Sequence, residues 1–245
     1  MLFNSLKRPI IATSISLALL TGCNSSNNSS SLFDQTTTDI VAERGPLLNS
    51  VLQDAVGNRA EEIGNGVYRF SGDIRYPIET TGGIIDLNRN GIIDEGDINT
   101  NGFQLKANSG QVVTLATTLA TNETLKQKLL SELNLSEDTL LTQTPSTDKA
   151  IAALSDEVFK FCIENNITDA STLTTAQWDA LSMSTQNRMD LYSNSQHGAD
   201  QLEQDLVTNE LSGRLQPLLP TDADALNRMT TTGYSMDTTL ASLPT

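Results

Sequence analysis

The sequence predicts an α+β chain, with a small β-sandwich-like module in its N-terminal part and a helical region after it. Three observations carry this expectation. Between residues 45 and 120, short stretches of β-branched and aromatic residues alternate with Gly- and Asn-containing turns. After about residue 121, apolar residues recur at three- and four-residue steps. The segments flanking these two parts are polar and too poor in apolar residues to build a core. The 245 residues suit one large domain or two small ones. Hydrophobic residues make up 38% and aromatics only 4%, so the expected core is aliphatic and modest.

Residues 1–22 read as a targeting segment. Lys7 and Arg8 supply a positive start, and Pro9 to Leu20 is a run of apolar and small residues too short to anchor stably across a bilayer. Leu20-Thr21-Gly22-Cys23 follows. This resembles the lipobox of bacterial lipoproteins, in which cleavage leaves a lipid-modified cysteine as the first residue. The alternative is an ordinary signal peptide with a chance cysteine. Asn24, rather than aspartate, follows the cysteine. In lipoprotein sorting that implies an outer-membrane destination, with Cys23 as the lipid attachment and the membrane as a partner.

The formal charge is −15. Removing residues 1–22 takes away Lys7 and Arg8 and no acid, leaving 13 basic against 30 acidic residues, net −17. Such a chain repels phosphate backbones, which argues against nucleic-acid binding, and it attracts cations. With Cys23 lipidated, Cys162 has no intramolecular partner. It falls in a helical pattern beside Phe159 and Phe161, where a small buried hydrophobe is expected and a catalytic thiol is the second choice.

Residues 23–44 are read as the lipidated cysteine and a flexible tether, because 24–39, NSSNNSSSLFDQTTTD, is small and polar. Residues 45–120 form the β module. Leu48 to Gln53, Val67 to Phe70 and Ile74 to Ile78 are expected strands; Phe103, Leu105 and Ala107 alternate with polar neighbours, and Val112-Val113 begins another. Residues 121–228 form the helical domain. Leu125, Leu129, Leu130 and Leu133 share one face. Ser136 caps a short helix opening on Glu137 and Asp138. Ile151, Leu154, Val158, Phe161, Cys162 and Asn165 mark an amphipathic helix. Thr174 to Gln177 reads as a capping box. A later helix carries Leu202, Leu206 and Leu211, with Gly213 as its stop. Residues 229–245 are a loose tail.

The stretch DLNRNGIIDEGD, Asp86 to Asp97, carries the chemistry. Calcium takes six to eight oxygens, and twelve residues can wrap it when oxygens recur at positions 1, 3, 5, 7, 9 and 12 with glycine at 6. Asp86, Asn88 and Asn90 fill the first three, Gly91 the bend, Ile92 the backbone carbonyl at 7, and Asp94 and Asp97 the last two. Ile93 is free to plug into the core. The alternative is a plain Asn-Gly turn between strands. Position 12 is Asp rather than Glu, as in dockerin-type loops, and Asp97→Glu is expected to tighten the site. The flanks are not helical, so a structural loop between strands is expected, in the weak range of about 10⁻⁵–10⁻³ M. Asp97, Asn99, Asn101 and Gly102 repeat the start of the pattern, as an incomplete second loop or a polar turn.

The run from YPIETTGG through IIDLNRNGIIDEGD to VVTLATTL, within residues 46–122, resembles a module of bacterial surface lipoproteins and large cell-surface proteins. In these a small β domain carries such a loop, then a strand, then a Thr-rich entry to a helix. The resemblance implies surface display and calcium, and no reaction.

No catalytic residues are expected. His197 is the only histidine, so a His-rich zinc site cannot form, and no strand–GxSxG–helix elbow positions a nucleophile. The chain therefore reads as a non-enzymatic, calcium-binding structural or interaction module, with a protein or a cell-surface polysaccharide as its partner. The alternative is a lipid-anchored hydrolase using paired carboxylates.

Overall fold

The structure is a computed structural model that describes residues 36–100 and 102–222. The targeting segment, Cys23, Asn101 and the tail from 229 lie outside the described residues.

The first strand, β1 (Thr37–Ala42), lies where the sequence reading places tether. It is central: it pairs antiparallel with β5 (Val67–Ser71), which pairs with β4 (Glu61–Gly64), and parallel with β10 (Val112–Val113). Ile40 and Ala42 are fully buried, and Arg69 grips Asp39 across the ladder at 2.7 Å. Residues 37–42 are therefore strand rather than tether. The composition of 37–42 hides this, because the apolar surface that buries it comes from Tyr68 and Phe70, some thirty residues on.

Two three-stranded sheets complete the β region. One runs β2 (Leu47–Leu48), β7 (Ile84–Ile85), β8 (Ile98–Asn99); the other runs β3 (Val51–Gln53), β6 (Ile78–Thr81), β9 (Lys106–Ala107). The expected strand Leu48–Gln53 is thus divided between two sheets. Asn49 breaks it with a left-handed backbone (φ 51°), which asparagine tolerates better than most residues. Tyr68 bridges the break, donating to the Leu47 carbonyl at 2.8 Å and accepting from the Ser50 N–H at 3.0 Å. The strand expected at Ile74–Ile78 starts only at Ile78, since Pro77 has no N–H to give a ladder.

Helix α1 (Leu115–Ala120) begins before the expected boundary at 121. Thr114 and Thr117 form its capping box. The Thr117 hydroxyl donates to the Lys106 carbonyl and Thr118 accepts from the Lys106 N–H, both at 2.8 Å, fastening α1 to β9. Threonine is a poor helix former in isolation, and tertiary hydrogen bonds override that preference. Helices α2 (Glu123–Glu132), α3 (Glu137–Thr142), α4 (Lys149–Asn165) and α5 (Thr175–Asn194) follow. Their N-caps are Asn122, Ser136, Asp148 and Thr174. The Ser136 cap and the Thr174–Gln177 box are as the sequence predicts. The last helix is shorter than expected: α6 (Ala199–Asp205) gives way to a π-type turn at Leu206–Glu210.

Helix α4 is the centrepiece of the core, with Ile151, Leu154, Val158, Phe159 and Cys162 buried. The main apolar cluster runs without a break from Ile40 and Phe70 through Phe103 and Val113 to Leu154, Trp178 and Leu211. Phe103 meets Phe159 edge to face at 5.4 Å between centroids. The β and helical parts therefore share one core. Among the described residues, no helix is long and apolar enough to cross a membrane.

Candidate metal centre

The loop from Asp86 to Asp97 joins β7 to β8, and these strands pair with Ile85 opposite Ile98. Asp86 follows Ile85 and Asp97 precedes Ile98, so the ladder brings positions 1 and 12 together at one end. The flanks are strands, as the sequence predicts. Asp86 and Asp97 are each only 1% exposed.

Asp86 Oδ1 accepts from the Asn90 N–H at 3.2 Å, and Oδ2 from the Gly91 N–H at 2.7 Å. Asn88 and Asn90 each bend the chain by accepting an N–H two residues on, at 3.0 and 2.7 Å. Both also turn their amides on Asp94: Asn88 Nδ2 lies 3.0 Å from Oδ1 and Asn90 Nδ2 lies 2.6 Å from Oδ2. Asp97 staples the two limbs, Oδ1 accepting from the Leu87 N–H and Oδ2 from the Asp94 N–H, each at 3.0 Å. Burial pushes the Asp97 carboxyl above its ordinary range. The nearby charges of Asp86 and Asp94 add to this, and the two N–H groups oppose it. Side chains from positions 1, 3, 5, 9 and 12 thus all take part in the hydrogen bonds that shape the loop.

Gly91 is required at the bend. Its φ is +76°, and a Cβ there would lie 2.1 Å from the Asn65 side-chain oxygen. Ile93 is buried with Leu48, Ile84 and Leu218, the plug that the sequence predicts, though in a satellite cluster outside the main core. Ile92, whose carbonyl is the candidate at position 7, is 57% exposed.

The donor set can be tested against a cation. Among the described residues, no group of three or more His, Cys, Asp or Glu side chains stands in a metal-holding cluster. The loop's donor set is mixed, with two asparagines alternating with the acids and their N–H groups spent on Asp94. Each asparagine oxygen, and each oxygen of Asp86 and Asp97, accepts one backbone N–H and keeps a further lone pair. The amide donors on Asp94 occupy the electrostatic role a cation would take. An all-oxygen set of Asp86, Asn88, Asn90, Ile92, Asp94 and Asp97 fits a hard cation such as Ca2+, which would draw charge away from three neighbouring carboxylates. Of the second run, Asp97 and Asn99 are described and Asn101 is not.

Behind the loop lies a buried charge network with no signature in the sequence. Arg44, 2% exposed, donates to Glu203 at 2.8 Å, lies 3.1 Å from Asp156 and covers the Phe159 ring at 4.4 Å. Arg89, from loop position 4, contacts Glu43 at 3.2 Å and also bonds Glu203. Glu43 further accepts from the Ser146 N–H at 3.1 Å and hydroxyl at 3.0 Å, and Tyr192 donates its O–H to Asp156. Two guanidiniums face three carboxylates. Burial pushes Asp156 up to about 8, with the Glu203 charge adding and Arg44 opposing. Burial also raises Glu203. Arg188 also opposes the rise at Asp156, and burial favours a proton on the network's carboxylates. Arg44 and Glu203 lie 159 residues apart and Arg89 and Glu203 lie 114 apart, so no local pattern reveals them.

The other singled-out residues stand apart. Cys162 is a buried free thiol pushed up to about 12 by burial, so it stays protonated. His197 is half exposed, 3.9 Å from Asp205. Glu61 is exposed, whereas its neighbour Glu62 turns to accept the Asn49 N–H at 2.7 Å. No family model, no curated protein and no solved structure matches this chain, so its functional reading rests on these residues and their chemistry.

Proposed function

We propose that the chain is a bacterial envelope lipoprotein, anchored through Cys23 to the outer membrane. In this reading its sandwich-like β module carries a structural calcium loop, and the protein acts at the surface as a structural or interaction module. The partner is a protein or a cell-surface polysaccharide. The observation that supports the calcium reading is that Asp86, Asn88, Asn90, Asp94 and Asp97 are hydrogen-bonded within one loop closed by a strand pair, where the charges of Asp86 and Asp94 are felt at Asp97. The anchoring half rests on Leu20-Thr21-Gly22-Cys23 behind a charged and then apolar segment.

The two halves are tested separately. Calorimetric titration of the purified mature protein is expected to show one calcium site in the weak range of about 10⁻⁵–10⁻³ M, lost in Asp86→Ala. Magnesium should bind more weakly, because it prefers a tight octahedral shell and keeps its waters. No heat up to ~10 mM calcium, beyond that range, would reduce the loop to a turn. Cys23→Ser is expected to abolish fatty-acid labelling and release the protein from membranes; continued labelling would sink the anchor.

A further inference from the structure

The chain after α5 grips both limbs of the loop. On the entry limb, Gln204 Nε2 donates to the Leu87 carbonyl at 2.6 Å, and Glu203 holds Arg89. On the exit limb, the Leu218 N–H donates to the Asp97 carbonyl at 2.7 Å and the Gly96 N–H donates to the Leu218 carbonyl at 3.2 Å. Pro217 forms an isolated antiparallel bridge with Ile98 there, so residues 216–218 lie alongside β8. Ile93 packs on Leu218 between these contacts.

This segment has little order of its own. Helix α6 has seven residues and no side-chain cap at Gly198, and a π-type turn follows it. A helix of that length is unstable in isolation, so its order comes from docking. Leu206, Val207, Leu211 and Leu215 supply part of that docking through the main core. Ala199 and Leu202 pack with Ala152, Ala153 and Tyr192, Arg44 holds Glu203, and the loop contacts add to these.

We infer that the loop and residues 199–218 form one cooperative unit: a divalent cation in the loop locks this segment onto the β module, and the segment in turn sets the loop's cation affinity. This rests on the calcium reading above. The cation relieves the mutual repulsion of Asp86, Asp94 and Asp97 and holds the loop backbone in a single arrangement. That same backbone presents Leu87, Gly96 and Asp97 to Gln204 and Leu218. Coupling between two binding events is reciprocal, so tighter docking must also mean tighter cation binding. Arg89 contributes to this: Glu43 and Glu203 hold its positive charge, so it does not compete for the loop's carboxylates.

The test is hydrogen exchange on the full mature protein, in calcium and in chelator, read together with calorimetric titration. Calcium is expected to slow exchange in peptides covering both 86–98 and 199–218, with α2 and the first turns of α5 unchanged. Gln204→Ala, which leaves every loop ligand in place, is expected to weaken calcium binding about three- to tenfold, the span of one lost hydrogen bond. If calcium binds and slows the loop but not 199–218, or if Gln204→Ala binds as tightly as the parent, the coupling is wrong and the calcium reading stands. If titration shows no binding at all, both fall.

Discussion

Asp97 has two jobs, and they pull against each other. As position 12 it is a candidate ligand, where the longer arm of glutamate looks advantageous. As a staple it holds the Leu87 and Asp94 N–H groups at 3.0 Å from a buried position. An extra methylene there has nowhere to go without moving the carboxylate off both donors. Asp97→Glu is therefore expected to destabilise the calcium-free protein by about 1–3 kcal/mol, the cost of leaving buried donors unpaired. Urea unfolding in chelator measures this cost, which stands beside the tighter calcium binding expected from sequence alone. Asp156 makes a pH prediction. Its folded-state value of about 8 lies above the ordinary 3.8, so between these values the folded state binds the extra proton. The stability it contributes is full at low pH and is lost as pH rises toward 8, by up to ~1.4 kcal/mol per pH unit. The parent's urea midpoint should fall from pH 6 to pH 8.5, and Asp156→Asn, which keeps the shape without the charge, should flatten the curve. A parent midpoint that does not move over that interval would contradict a buried, protonated Asp156.

At the scale of elements, the sequence is legible where the determining residues are neighbours. The helix starts at Ser136 and Thr174 could be read because a cap and its N–H partner lie three residues apart. The loop could be read because its ligands fall within twelve residues and Gly91 marks the bend. Strand β1 could not, because Ile40 and Val41 alone look too few for a core, and the partners that bury them lie far along the chain. The division of 47–53 between two sheets was hidden for a similar reason: it depends on Tyr68 reaching across Asn49. The structure makes β1 essential. Ile40 is fully buried between β5 and β10, so Ile40→Ala should cost about 2–5 kcal/mol. A loss under ~0.5 kcal/mol in equilibrium unfolding, the scale of a surface change, would return residues 37–42 to the tether.

For the whole molecule, the shared core changes how calcium should be felt. With separate β and helical domains, calcium would raise the melting temperature of one and act on the other only through packing. With Phe103 against Phe159 and one apolar cluster through both parts, the described chain should melt as one. A ligand at a hundredfold excess over its Kd adds ~2.7 kcal/mol, which for a unit of this size is about 5–10 °C. Most of the helices, α5 with Trp178 among them, lie away from the loop, so the helical melt followed by far-ultraviolet circular dichroism should rise by that amount on adding calcium, and chelator should return it. A helical melt that calcium leaves in place would restore the two-domain picture.

The three acids gathered where β7 meets β8 also bear on when the chain completes its fold. On the calcium reading, a newly made chain in a calcium-poor interior carries a knot of mutual repulsion at that strand end, and Ile93 and Leu218 must close over it. On the proposed envelope location, the same chain would meet, on the far side of a membrane, the counter-ion that relieves the knot. The difference in calcium concentration would then act as a ratchet. It would leave the precursor loose enough to be threaded through, and make the finished protein reluctant to unfold.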